Sequence, residues 1–268
     1  MSDISVAVAG FGAIGKKVAE TLDKGIPGLK LVAVAEADAA RAESILKGFK
    51  NPVPVVPLEK LGDVAEIVAE SLPASIFRKV AEPTLQKGRK FVALSVGALA
   101  ANMDLVDLAK AHGGQIIVPS GALLGLDGLV AASQETIHSV KLVSKKPPGG
   151  LIGAPYLVQN KIDLTDIKEP VRVFAGTARE AAAAFPANVN VGAALGLAGI
   201  GVDRTLVEVW ADPGLTRNTH QVEVDSESAI LNFKIENLPA VENPRTSRIA
   251  ALSVIATLKN LVSPLKIG

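Results

Sequence analysis

The order Gly10-Phe11-Gly12-Ala13-Ile14-Gly15, placed directly after the apolar run Ile4–Ala9 and opening a helical pattern, restricts this chain more than any other feature of it. Glycines at those spacings allow a tight turn, close approach of backbone amides to a diphosphate, and close strand-helix packing. The helix start adds partial positive charge. The spacing therefore predicts a dinucleotide-binding βαβ unit, with Gly10, Gly12, Ala13, Ile14 and Gly15 around the phosphates. Glu36 closes the next strand pattern, where a carboxylate can accept hydrogen bonds from an adenosine ribose diol and repel a 2′-phosphate. NAD is thereby favoured, while Asp38 and Arg41 nearby leave NADP open.

The alternation continues beyond the motif. Apolar or β-branched runs at 4–9, 31–36, 53–56, 65–70, 91–95 and 115–118 are separated mostly by helical patterns, the signature of a parallel sheet with helices on its faces. Six strands and a Rossmann-type domain over 1–118 are expected. After Pro119 the texture changes to SGALLGLDGL, a strand pattern at 140–144 and then KKPPGG. Two helical stretches at 177–185 and 188–199 precede strand-like runs at 205–210, 219–224 and 230–236. Thr177 with Glu180 has the spacing of a capping box, and Asn188 suits an N-cap. A second, α+β substrate domain over 119–243 follows, with the helical pattern in 244–268 returning to the first domain. The fold class expected is α/β, a Rossmann-type domain plus an α+β substrate and dimerisation domain.

Composition removes other classes. With 28 Lys+Arg against 27 Asp+Glu and 3% aromatic residues, the chain has no basic footprint or stacking platform for nucleic acid. It has no cysteine, so disulfides, thiolate nucleophiles and cysteine-bound metal are excluded. No metal site is expected. The uncharged stretch 181–202 is interrupted by Pro186, Asn188, Asn190 and several glycines, and reads as a broken buried helix rather than a membrane span. A cytoplasmic protein with no membrane partner is expected.

A nicotinamide cofactor requires a group that manages protons, which directs attention to the 3 histidines. His112 falls at a helix end and His138 at a strand start, without polar clusters around them. His220 shares a strand face with Val222 and Val224, while Thr219, Gln221 and Glu223 take the other. On pattern alone His220 is either a satisfied buried histidine or a catalytic one.

Several segments, in order and spanning nearly the whole chain, resemble the L-aspartate dehydrogenase family: GFGAIGKK, LSVGAL, VPSGALLGLDGL, KKPPGG, GTAREAAAAFPANVNVGAALGLAGIGVDRT, ADPGLTRNTHQVEV and IENLPAVENPRTS. The resemblance implies oxidative deamination of L-aspartate with NAD or NADP to iminosuccinate, which hydrolyses to oxaloacetate and ammonia or feeds NAD biosynthesis. It implies His220 as the catalytic histidine, Ala122 as a backbone-amide contact to the cofactor, and Asn190 as the cofactor-binding asparagine. Ser71 and Ser95 close strands on the cofactor side. Several members carry a Glu-Cys pair where this chain has Glu70-Ser71, and the second strand ends Ala-Glu-Ala-Asp, so either Glu36 or Asp38 takes the ribose.

The implied chemistry calls for a base near neutrality, a role for His220 as general acid/base. Two substrate carboxylates need paired donors, for which Lys146, Arg245, Thr246 and Ser247 are the nearest candidates. A homodimer paired through the second domain's sheet is expected. Two alternatives stand beside this reading. One is a reductase of another small acid, similar to dihydrodipicolinate reductase, whose paired-histidine motif this chain lacks. The other is a nucleotide-binding sensor without catalysis, which has no need of a proton-transfer group.

Overall fold

The computed structural model describes residues 2–186, 189–240, 242–243 and 246–267. In chain order its principal elements begin with β1 (Ile4–Ala9), α1 (Ala13–Lys24), β2 (Leu29–Ala35), α2 (Ala39–Leu46), α3 (Leu61–Val64), β3 (Ile67–Glu70), α4 (Phe77–Gln86) and β4 (Lys90–Ala93). Next come α5 (Val96–Ala100), α6 (Asp104–His112), β5 (Gln115–Ile117), α7 (Leu126–Ala132), β6 (Ile137–Lys146), α8 (Pro155–Gln159) and β7 (Val171–Thr177). The chain finishes with α9 (Ala178–Ala184), α10 (Asn190–Ala198), β8 (Leu206–Ala211), β9 (Asn218–Ser226), β10 (Ile230–Asn237) and α11 (Arg248–Val262). Two compact units result. The first holds Met1–Ser95, Asn102–Pro119 and Ala250–Gly268; the second holds Val96–Ala101 and Ser120–Ile249.

The first unit is built on a parallel sheet of order β2-β1-β3-β4-β5. Its central strands are apolar on both faces because helices cover both. Val6, Val8, Val18, Leu22, Ile67 and Leu258 meet in its core, so α11 seals this unit. The sheet has five strands where six are expected. Residues 53–56 contribute a single bridge between Val34 and Val55, because Pro52, Pro54 and Pro57 carry no amide to donate to a ladder.

The second unit carries a mixed sheet of order β10-β9-β6-β8-β7, in which only β6 and β8 are parallel. β7 is an addition to the strands expected, and β6 is longer than the 140–144 pattern. Val140 and Leu142 of β6, Val222 and Val224 of β9, and Val207 and Val209 of β8 form its buried face. The uncharged stretch at 181–202 divides into α9 and α10, and α10 is apolar nearly all round because it is enclosed. Among the described residues, no helix is long and apolar enough to cross a membrane. The capping box at Thr177 is formed: the Glu180 carboxylate accepts the Thr177 amide at 2.7 Å, and Thr177 Oγ1 accepts the Glu180 amide at 3.2 Å. Asn188 lies outside the described residues.

Segment Val96–Ala101, expected with the first domain, clusters with the second unit. Two polar contacts account for it. The Gly97 amide donates to Asn190 Oδ1 at 3.0 Å, and Arg179 donates to the Ala100 carbonyl at 3.2 Å. At the chain's other end, 246–249 also fall within the second unit.

Candidate active site

In the first unit, the carboxyl ends of β1, β2 and β3 surround a cavity of about 410 Å³. Gly10, Gly12, Glu36, Arg41, Ser71 and Pro73 are among its walls. Gly10 has φ of 90°, and a Cβ there would stand 2.8 Å from the Ser71 carbonyl oxygen, so the turn requires glycine. A Cβ on Gly15 would collide with the Gly10 carbonyl, which is the close packing of α1 against the strand. Gly12, by contrast, faces open space. No side chain caps α1, so the amides of Ala13, Ile14 and Gly15 lack acceptors within the helix and suit an anionic diphosphate. These residues fit a dinucleotide.

Glu36 and Asp38 have different neighbours. Glu36 accepts the Phe11 amide at 3.0 Å, the Ala37 amide at 2.9 Å and Arg41 Nη2 at 3.0 Å, and it lines the cavity. Asp38 does not line it; its side chain accepts the Arg41 amide at 2.9 Å as the N-cap of α2. Ser71 lies in the wall. Ser95 does not: its amide and hydroxyl donate to buried Glu70 at 3.0 and 2.7 Å, and its hydroxyl also lies 2.7 Å from the Leu72 carbonyl. Ser95 therefore braces the loop after β3. Burial pushes the Glu70 carboxyl above its ordinary value, against the hydrogen bonds from Leu72 and Ser95.

In the second unit, antiparallel register sets Ser144 of β6 opposite His220 of β9, with Ile235 of β10 on the other side of His220. Alternation then puts Lys146 on the same face. His220 is 2% exposed and Lys146 4%. Ser144 Oγ and His220 Nδ1 are buried without a hydrogen-bond partner, and no described carboxylate pairs with Lys146. Burial lowers the Lys146 ammonium to about 8. Burial and the neighbouring Lys146 charge push the His220 imidazole down to about 3. In the ligand-free protein the imidazole is thus held neutral, chiefly by burial and further by the cation on the same strand face.

Asn218 and Asn237 are cross-strand partners at the end of this face, and both line a cavity of about 430 Å³ with Pro147, Gly150, Arg217 and Asn243. Asn237 Nδ2 donates to the Ala122 carbonyl at 3.0 Å, so that only the Ala122 amide is left for a ligand. Asn190 opens α10; with Oδ1 taken by Gly97, its Nδ2 remains as a donor. Thr246 bonds back to Asn243 at 2.9 Å and accepts the Ala240 amide at 2.7 Å, while Ser247 is buried in a bridge to Pro239. Arg245 lies outside the described residues. His112 and His138 are exposed, away from both cavities. Sequence reasoning missed Asn237, although it continues the inward phase of Leu231, Phe233 and Ile235 and so stands as a polar residue where an apolar one is due. Among the described residues no group of three or more His, Cys, Asp or Glu could hold a metal ion.

Known proteins match the chain along its whole length. The family profile described as "Aspartate dehydrogenase, C-terminal" matches residues 127–261, and that described as "Homoserine dehydrogenase, NAD binding domain" matches residues 10–119. The chain is 52% identical to an L-aspartate dehydrogenase of Bradyrhizobium diazoefficiens, over 100% of this chain and 95% of that one. It is 48% identical to L-aspartate dehydrogenase 3 of Bordetella bronchiseptica, over 99% and 98%. A crystal structure of aspartate dehydrogenase from Thermotoga maritima superposes with a TM-score of 0.76 at 26% identity, covering 99% of each chain. Scyllo-inositol dehydrogenase of Lactobacillus casei shares the fold, with a TM-score of 0.55 at 15% identity. Matched along its whole length by these relatives, and carrying the glycine turn on one sheet and a buried lysine-histidine pair on the other, the chain belongs to the aspartate dehydrogenase family.

Proposed function

We propose that this protein catalyses the NAD(P)-dependent oxidative deamination of L-aspartate to iminosuccinate, which hydrolyses to oxaloacetate and ammonia. One observation carries the reading. A buried lysine, a buried imidazole nitrogen and a buried hydroxyl share one sheet face; among the described residues the imidazole nitrogen and the hydroxyl have no hydrogen-bond partner, and no carboxylate pairs with the lysine. Buried polar groups are normally satisfied, so the set calls for a ligand that brings both negative charge and hydrogen-bonding groups.

A bound NAD or NADP supplies the hydride acceptor. The glycine turn and the amides of α1 bind its diphosphate, Glu36 accepts its ribose hydroxyls, and Asn190 Nδ2 and the Ala122 amide are the donors for its carboxamide end. Lys146 takes a substrate carboxylate as a charge-assisted pair, supported by Thr246, Ser247 and Arg245. That pairing offsets the Lys146 field at His220 and raises the proton affinity of the imidazole as substrate binds. His220, neutral beforehand, then accepts a proton from the substrate ammonium, and later orients the water that attacks the imine. Glu36 favours NAD; Arg41, free to exchange Glu36 for a 2′-phosphate, allows NADP.

The same reading has the protein act in the cytoplasm as a homodimer. Support for the homodimer is the outer face of the second sheet, which carries the exposed Leu206 and Ile230 and the half-buried Trp210. The decisive assay mixes protein, L-aspartate and either coenzyme at alkaline pH and follows reduced nicotinamide absorbance. Reduction is expected with aspartate, and His220→Ala is expected to lower turnover about 100-fold with nucleotide binding intact. Reduction only with a different amino or hydroxy acid would replace the substrate, and nucleotide binding without any turnover would favour the sensor.

A further inference from the structure

We propose that Arg217 is the specificity-determining residue of this enzyme, the rim cation that selects a dicarboxylic amino acid over one with a single carboxylate. The inference deepens the reading above and rests on it for the position of the reacting centre.

Among the described residues, the cavity beside the His220 face in the second unit has one charged wall residue, Arg217; the other described walls are asparagines, a threonine, prolines and glycines. A cavity with a guanidinium and no carboxylate in its walls is an anion receptor. Arg217 forms no ion pair with a described carboxylate; its influence on Glu236 is only a weak lowering of that carboxyl, behind the larger effect of Lys234. No ion pair among the described residues holds its guanidinium, whose planar donors match a carboxylate bidentately.

Arg217 immediately precedes β9. Asn218 follows it, on the same strand face as His220, and lies opposite Asn237, whose side chain is held by the Ala122 carbonyl. Asn218 thus belongs both to the cavity wall and to the strand face that carries His220. Lys146, on that face, is fully buried, whereas Arg217 is exposed at the cavity. Two cations at different depths, joined by a strip of carboxamide donors, fit a short diacid. The carboxylate next to the reacting carbon takes Lys146 and the distal one takes Arg217. A substrate whose distal group is an amide or a methyl would leave Arg217 unused and gain nothing from it.

The test uses the full-length enzyme and the variants Arg217→Met and Arg217→Lys. Each is assayed with L-aspartate and with L-asparagine, its neutral near-isostere, and each is titrated with succinate, a diacid with no reacting amine. We expect Arg217→Met to lose about 30- to 100-fold in kcat/KM for aspartate and to change little with asparagine, so that discrimination between the two collapses. Arg217→Lys is expected to recover part of it. Succinate is expected to bind the wild type and to weaken by a similar factor in Arg217→Met. An unchanged aspartate-to-asparagine ratio, an equal loss with both substrates, or succinate affinity indifferent to the substitution would overturn the assignment. Wild-type enzyme that does not oxidise aspartate would instead remove the proposed reaction, and the succinate titration would still decide for or against Arg217 as a diacid anchor.

Discussion

At the scale of single residues, the most consequential group is an ammonium kept in the wrong place for stability. Lowering Lys146 from 10.5 to about 8 by burial corresponds to about 3 kcal/mol of destabilisation at neutral pH. The folded value is depressed, so stability is fullest above the unfolded value of 10.5 and is lost as pH falls through about 8. Lys146→Met should therefore raise the melting temperature of the free protein while removing most of the activity, a divergence that thermal denaturation and steady-state assay will reveal. Because only the charged form can hold a carboxylate, succinate affinity should fall roughly tenfold per pH unit above about 8. Titration calorimetry between pH 7 and 10 measures this, and a flat profile would contradict the pairing. In the nucleotide cavity, Arg41 donates to both Glu36 and the Phe11 carbonyl, at 3.0 and 3.3 Å. Arg41→Ala should lower kcat/KM with NADP at least tenfold and leave NAD nearly unchanged, read as the ratio of the two coenzymes. The phase of His220 among valines made its burial legible in the sequence. The part of its lowered proton affinity that comes from burial was legible with it; the smaller part from Lys146 was not, since that residue reaches the same face from another strand.

At the scale of elements, local chemistry carried the reading well wherever a signal was complete within one segment. Thr177 and Glu180 are one turn apart, and the capping box they predict is present. Thr177→Ala should cost about 1 kcal/mol and lower the melting temperature by a few degrees, which thermal denaturation checks. The glycine turn is equally local: the collisions that require Gly10 and Gly15 come from atoms of the same βαβ unit. Reading faltered where apolarity and hydrogen bonding diverge. Residues 53–56 have the valines of a strand, but the prolines around them leave too few amides for a ladder. β7 was overlooked for the opposite reason, since Val171–Thr177 runs straight into the capped helix and its alternation is interrupted by Gly176 and a register shift before Phe174. Neither affected the fold class, because the parallel core and the β6, β9 and β10 ladder were already specified by their own alternation.

At the scale of the whole molecule, no pattern in the sequence shows that the chain visits the second unit early. Residues 96–101 join it through a carboxamide at Asn190 and a guanidinium at Arg179, partners far along the chain whose pairing no local pattern encodes. The two ligand demands are likewise divided: the glycine turn and Glu36 belong to one unit, and the buried Lys146, His220 and Ser144 to the other. That division has a measurable consequence. A ligand at a hundredfold excess over its dissociation constant stabilises the unit that holds it by about 2.7 kcal/mol, which slows exchange of amides that require opening of that unit about a hundredfold. Hydrogen exchange with NAD should show protection in the turn at 10–15 and the loop at 71–73, whereas succinate should protect β6 and the start of β9. Lys146→Met should lose the succinate pattern and keep that of NAD. Succinate protection centred on the glycine turn, or persisting unchanged in Lys146→Met, would mean that the buried ammonium is not the diacid's anchor, and the placement of the reacting centre on the β6–β9 face would fail with it.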